Sequence, residues 1–157
     1  LIVLRKAVLE DIPNIYEQLH LNYVKKYCKG EEEAQWEIHK KWYTFLINSS
    51  SYILYTIEDI GGKFLGSIKF EIENETSIIC IFIAKELRGK GYSKIIIESS
   101  IDEMKFEKPE VSVVLAYILE ENEISILSFE KSGFIYEGME EYEGVDNLLY
   151  VKWIDRN

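Results

Sequence analysis

Three strand-like segments with only short breaks between them constrain the fold more than any other feature of the chain. Residues 52–58, 63–72 and 77–84 are rich in β-branched and aromatic side chains, and Gly61-Gly62 and Glu73-Asn74-Glu75 separate them. Breaks this short join antiparallel neighbours, because a parallel crossover consumes a dozen or more residues. The sequence therefore predicts an antiparallel meander in the middle of the chain.

Helical patterns flank that meander. Residues 1–8 read as a first strand. Asp11 then offers an N-cap with Pro13 in the first turn, and Ile12, Ile15, Tyr16, Leu19 and Tyr23 follow at helical spacing. Gly30 breaks that helix. A second helix is predicted from near Glu32, with Ile38, Trp42, Phe45 and Leu46 on one face, ending over 48–51. After the meander, 92–107 carries Ile96, Ile97, Ser100, Ile101 and Met104 at helical intervals. Residues 111–118 form an apolar run without alternation, as in a strand covered on both faces. A short helix over 122–131 stops at Gly133, and two last strands are predicted over 134–138 and 148–153. The order is β-α-α-β-β-β-α-β-α-β-β. It implies an α/β (α+β) fold in one domain spanning 1–157, with a mixed, mostly antiparallel central sheet flanked by helices and one late βαβ crossover.

Composition narrows the function classes. The chain has 157 residues, 47% apolar and 29% charged, an ordinary globular balance for a domain with a real core. No run approaches the roughly 18 apolar residues of a membrane span, and the first residues lack the order of a signal peptide. A cytoplasmic location is expected. The formal charge of -10 argues against nucleic acid and membrane as partners and mildly favours a cationic acceptor. Cys28 and Cys80 are isolated, with no CxxC, so neither a disulfide nor a metal site is expected.

The most informative chemistry lies where the meander ends. Ile81-Phe82-Ile83-Ala84-Lys85-Glu86-Leu87 leads into Arg88-Gly89-Lys90-Gly91-Tyr92-Ser93 and then into the 92–107 helix. A strand, a basic glycine loop and a helix N-terminus can converge N–H groups and partial positive charge on one point, which suits a phosphate or pyrophosphate. The bland alternative is a basic turn that merely caps a helix.

In this segment and a later one the chain resembles the GNAT superfamily of N-acetyltransferases. Arg88-Gly89-Lys90-Gly91-Tyr92-Ser93 is similar to its Arg/Gln-x-x-Gly-x-Gly/Ala loop for the coenzyme A pyrophosphate, with Ser93 as the small residue at the last place. About 30 residues later, Asn122-Glu123-Ile124-Ser125 and Phe129-Glu130-Lys131-Ser132-Gly133-Phe134 resemble its Asn-x-x-Ser/Ala and Glu-Lys-x-Gly-Phe segments. The element order matches as well. The resemblance implies a GNAT-like sheet and acetyl-CoA as co-substrate without a metal. It implies a coenzyme site made of Ile81, Phe82, Ile83, the loop Arg88 to Ser93, Asn122, Ser125, Phe129 and Lys131. The pantetheine arm would lie like an extra strand beside Ile81–Ile83, with a main-chain N–H near Ile83 polarising the thioester.

Transfer to a primary amine needs a base, because an alkylammonium of pKa ~10.4 cannot attack a thioester. Glu71, Glu73, Glu75 and His39 are the candidates, with Glu75 preferred because it opens the strand that leads to Ile83. Many family members have tyrosine as general acid where this chain has Phe129. Either Tyr92, Tyr136 or a water replaces it, or the thiolate leaves unaided. The last is preferred, since a thiol of pKa ~8.5 is a tolerable leaving group.

The acceptor is read as a small molecule. Trp36-Glu37-Ile38-His39-Lys40-Lys41-Trp42 and Gly66-Ser67-Ile68-Lys69-Phe70-Glu71 resemble members that acetylate amino groups on nucleotide-linked sugars, and Trp36, Trp42 and Tyr43 would wall that site. Lys25, Lys26, Lys40 and Lys41 would suit such an anionic acceptor. A polyamine or aminoglycoside would instead use Glu31–Glu33 and the carboxylates of Glu140, Glu141 and Glu143. A protein N-terminus or lysine as acceptor, a non-catalytic acyl-CoA sensor and a homodimer remain open.

Overall fold

A computed structural model describes residues 2–21 and 35–154. Tyr23, Lys25, Lys26, Cys28, Gly30 and Glu31–Glu33, and with them the expected helix start near Glu32, lie outside the described residues. The elements are β1 (Ile2–Lys6), a 3-10 turn (Leu9–Asp11), α1 (Ile12–Leu19), α2 (Trp36–Asn48), β2 (Tyr52–Asp59), β3 (Phe64–Glu73) and β4 (Thr76–Ile83). A second 3-10 turn (Lys85–Leu87), α3 (Tyr92–Glu107), β5 (Val113–Ile118), α4 (Glu123–Lys131), β6 (Ile135–Tyr142) and β7 (Val145–Trp153) follow. The seven strands form one sheet in the order β1-β2-β3-β4-β5-β7-β6. Every pair is antiparallel except β4 with β5. The expected mixed sheet and element order are what the structure has.

Side-chain alternation splits the core into two layers. Ile68, Phe70, Ile79 and Val114 point to the face covered by α3, where Ile97, Ile101 and Met104 meet them. On the opposite face Leu54 packs with Ile12, Ile15 and Leu19 of α1 and with Tyr43 and Leu46 of α2, and Phe82 leans on the same cluster.

Of the face expected to turn inward on α2, Leu46 is buried and the other three residues are not. Ile38 and Phe45 are 63% and 55% exposed and Trp42 is 39% exposed, whereas His39, Tyr43 and Leu46 are buried. Two stripes of similar spacing run along this helix, one residue apart. The His39 stripe is buried because its imidazole stacks on Tyr43 at 4.2 Å and meets the edge of Tyr16 at 5.0 Å. Trp42 stacks on Phe45 on the outer surface and touches Tyr52 edge-on.

The ends of elements follow local chemistry. Asp11 does not cap α1. Its carboxylate accepts the Val8 N–H at 2.7 Å and two guanidinium bonds from Arg5, while Arg5 also reaches Glu58 at 2.7 Å. The side chain of Asn122 caps α4 by accepting the Ser125 N–H at 3.3 Å. At its other end, Phe134 N–H donates to the Phe129 carbonyl and Gly133 N–H to that of Glu130, a Schellman ending. The last hairpin is longer than expected. β6 and β7 continue to a two-residue turn at Glu143-Gly144, both with left-handed φ (52° and 79°), as a type I′ hairpin requires.

Candidate active site between two parting strands

β4 and β5 pair only from Thr76–Val113 to Ile78–Leu115. Beyond that point β4 stays with β3 and β5 with β7, so a wedge opens between them. The ladder fixes which backbone groups border it. Ala84 N–H donates to the Leu65 carbonyl at 2.8 Å. Leu65–Ala84 is therefore a hydrogen-bonded pair, and so are the alternate pairs Ser67–Phe82 and Lys69–Cys80. The N–H and C=O groups of Ile81 and Ile83 consequently point away from β3 into the wedge.

A cavity of about 200 Å³ passes through this opening and is lined from both faces of the sheet. On the α3–α4 face it meets Arg88, Ser93, Asn122, Ser125, Ser128 and Phe129. On the other face it meets Lys69, Glu71, Cys80, Tyr117, Tyr142 and Glu143. The first half is suited to phosphates and an amide-bearing arm. Gly89 and Gly91 adopt left-handed φ (73° and 79°), which turns the chain sharply into α3. No acidic residue stands in the first turn of α3, so its N-terminal partial charge is uncompensated. The buried Leu87 anchors the loop to the core.

The second half is a chamber with aromatic and acidic walls. Tyr117 and Tyr142 stack at 4.2 Å with planes 5° apart. Burial holds the Tyr142 phenol well above its ordinary pKa, and the charges of Glu143 and Glu71 and the nearby Cys80 push it the same way against an opposing Lys69. Burial raises Tyr117 too, with help from Glu140. Both phenols are neutral donors at working pH.

Ten of the sequence-derived residues line the cavity: Ile81, Phe82, Ile83, Arg88, Ser93, Asn122, Ser125, Phe129, Glu71 and Glu143. Gly89, Lys90 and Gly91 form the exposed loop beside it without lining it. Tyr92 instead borders a separate apolar groove with Ile2, Leu4 and Ile57. Lys131 is exposed on the last turn of α4, off the cavity. Three of the four base candidates are not brought to the wedge. Glu73 and Glu75 are exposed in the β3–β4 hairpin, at the closed end where the Ser112 N–H binds the Glu75 carbonyl. His39 is 1% exposed within the aromatic layer. Glu71, paired across from Ile78 where the wedge begins, is the candidate carboxylate at the cavity. Tyr136 is half exposed beside Tyr150 and does not line the cavity. Sequence reasoning missed Lys69, Tyr117 and Tyr142. The alternation of Lys69 and Glu71 along an otherwise apolar β3 was the available signal for Lys69.

Among the described residues no helix is long and apolar enough to cross a membrane, and no group of acidic, histidine or cysteine side chains is arranged to hold a metal.

Comparison with known proteins agrees with this geometry. The family model described as an acetyltransferase (GNAT) domain matches residues 2–135. An aminoglycoside acetyltransferase solved with coenzyme A superposes with a TM-score of 0.82 at 18% identity, over 98% of this chain and 95% of that one. A spermidine N-acetyltransferase from Vibrio cholerae, solved with CoA and spermine, gives 0.83 at 19% identity, over 97% and 95%. A domain from Methanocaldococcus jannaschii gives 0.81 at 20%, over 98% and 99%. At these identities the superpositions establish the fold alone. No curated protein matches the chain by sequence.

Proposed function

Because the chain belongs to the acetyltransferase (GNAT) domain family, whose members use acetyl-CoA, we propose that its residues work as one domain that moves the acetyl group directly to a primary amine of a small molecule. One observation carries this reading. The cavity joins a loop-and-helix face suited to the coenzyme to a face with Glu71 and Glu143, and the joint is the wedge beside Ile81 and Ile83. The coenzyme pyrophosphate would take Arg88 and the start of α3. The pantetheine would pair with the exposed groups of β4, and Asn122, Ser125 and Phe129 would flank it. An N–H from Ile81 or Ile83 would meet the oxyanion of the tetrahedral intermediate. Glu71 would take the proton that the amine loses.

The acceptor that fits best is a cationic amine on a body that can lie against the Tyr117–Tyr142 stack, since two carboxylates line that chamber. Such amines occur in the substrates named for the aminoglycoside and spermidine enzymes of the same fold. A nucleotide-linked amino sugar is the second reading, favoured by Lys69 in the chamber wall and by the exposed Lys40 and Lys41 on α2. The test is thiol release from acetyl-CoA with kanamycin, spermidine, a uridine-diphosphate amino sugar and an N-terminal peptide, with product masses. Acetylated kanamycin or spermidine is the expected result. Tight acetyl-CoA binding without transfer to any of the four would replace this reading with that of a sensor.

A further inference from the structure

Aminolysis of a thioester expels a sulfur anion, and something must stabilise it. Phe129 contributes no donor. It is buried at the cavity wall and meets Phe134 edge-on at 4.9 Å. The phenols of Tyr55 and Tyr150 are engaged elsewhere, with Glu107 and Glu130. The hydroxyl of Ser128 donates to the Ile124 carbonyl, and aliphatic hydroxyls are weak donors beside a phenol. Tyr92 and Tyr136 do not line the cavity. Among the described residues that leaves two phenols at the wedge, Tyr117 and Tyr142.

Of the two, Tyr142 comes to the cavity from outside the strands that part. It belongs to β6, the far edge strand, three places from β4 in the sheet order. Yet it lines the cavity together with Cys80 of β4, Lys69 and Glu71 of β3, and its neighbour Glu143. The hairpin tip thus reaches the cavity, and the stacked Tyr117 ring holds the Tyr142 ring in place.

We propose that the Tyr142 hydroxyl donates a hydrogen bond to the coenzyme A sulfur as it departs, with Tyr117 as the positioning residue; this rests on the acetyl-transfer reading above. In the step, the amine nitrogen bonds to the carbonyl carbon, the C–S bond breaks, and its electron pair goes to sulfur. The proton lost by the amine passes to Glu71 and then through water to the thiolate. Tyr142 stays protonated throughout, because its acidity is suppressed by burial and by Glu143 and Glu71. Departure of the thiolate is therefore assisted, where the sequence alone favoured an unaided one.

A binding test needs no acceptor. Calorimetry with coenzyme A and with desulfo-coenzyme A isolates the sulfur. Tyr142→Phe keeps the stack, so it is expected to weaken coenzyme A by about 3- to 10-fold, the scale of one net hydrogen bond. Desulfo-coenzyme A should change by less than about twofold. Tyr117→Ala should give part of the same sulfur-specific loss. With the best acceptor amine, Tyr142→Phe should lower kcat by about 10- to 100-fold and leave the KM for the amine within about twofold. Equal losses for the two coenzymes would assign Tyr142 to packing, and no loss for either would remove it from the site; each overturns the proposal. A wild-type protein that binds neither coenzyme would overturn the acetyl-transfer reading instead.

Discussion

Gly66 of β3 lies so close to β4 that a β-carbon there would stand 2.2 Å from the Phe82 carbonyl oxygen. The obstacle is backbone, so it cannot swing aside as a side chain would. Gly66→Ala should force β3 and β4 apart at the mouth of the wedge. The expected cost is about 1–3 kcal/mol, the range for overpacking. A fall in melting temperature together with a lower kcat would be the signature, and an unchanged Tm would show that the strands have slack there.

The glycine loop proposed to hold the coenzyme carries a second prediction. Gly89 and Gly91 have open space around them, so their requirement is conformational and not steric. A left-handed φ costs a side-chain-bearing residue about 1–2 kcal/mol. Replacing both with valine should weaken acetyl-CoA binding by more than about tenfold in calorimetry. Unaltered affinity would remove the loop from the pyrophosphate site.

Glu71 and Glu75 separate the base by position. With kcat/KM rising with pH as the amine becomes neutral, Glu71→Gln should reduce kcat by about a hundredfold near neutrality. Acetyl-CoA affinity should stay within about twofold, and the loss should shrink for a less basic amine that arrives already neutral. Glu75→Ala, at the closed end of the wedge, should keep the wild-type rate. If it does not, the hairpin reaches the chemistry in a way that its exposed position argues against.

The cluster of Arg5, Asp11 and Glu58 should govern acid stability. Burial alone would raise the Asp11 carboxyl, but hydrogen bonds from Arg5 and the Val8 N–H outweigh it and hold it below its ordinary value. A depressed folded pKa stabilises the fold above the unfolded value of ~3.9 and loses that contribution as pH falls through the folded one. Asp11→Asn should therefore lower stability by about 1–3 kcal/mol at neutral pH and flatten the acid limb of a Tm-against-pH curve. A mutant curve parallel to that of the wild type would show that Asp11 titrates normally.

The regular parts of the fold were legible because their patterns are local. Short breaks gave the meander, Asn122 gave its cap and Gly133 its stop. The face of α2 was not legible, because an imidazole in a stack of rings counts as polar in a periodicity and as core in the structure. The length of the last hairpin was hidden in the charged run from Glu137 to Asp146, which carries no strand pattern until β7 pairs with it. That run supplies Tyr142, which stayed unread, and Glu143, which was read only as an alternative for a polyamine or aminoglycoside, whereas the face proposed for the coenzyme is written in contiguous glycines and an asparagine cap. The sequence favoured Glu75 over Glu71 because Glu75 opens β4. Only the register with Ile78 tells which carboxylate meets the opening.

The hairpin at Glu143-Gly144 has one more consequence. In the sheet it hangs from the last edge, hydrogen-bonded along β7, with β5 between β7 and β4. On the proposed reading, substitutions along its inward side other than at Tyr142 can reshape what the enzyme accepts while the donor site on β4, α3 and α4 is inherited intact. On that reading a lineage can change its diet by editing about ten residues, and a chimera that exchanges residues 137–147 between two such proteins, with Tyr142 kept, should carry its taste with the graft.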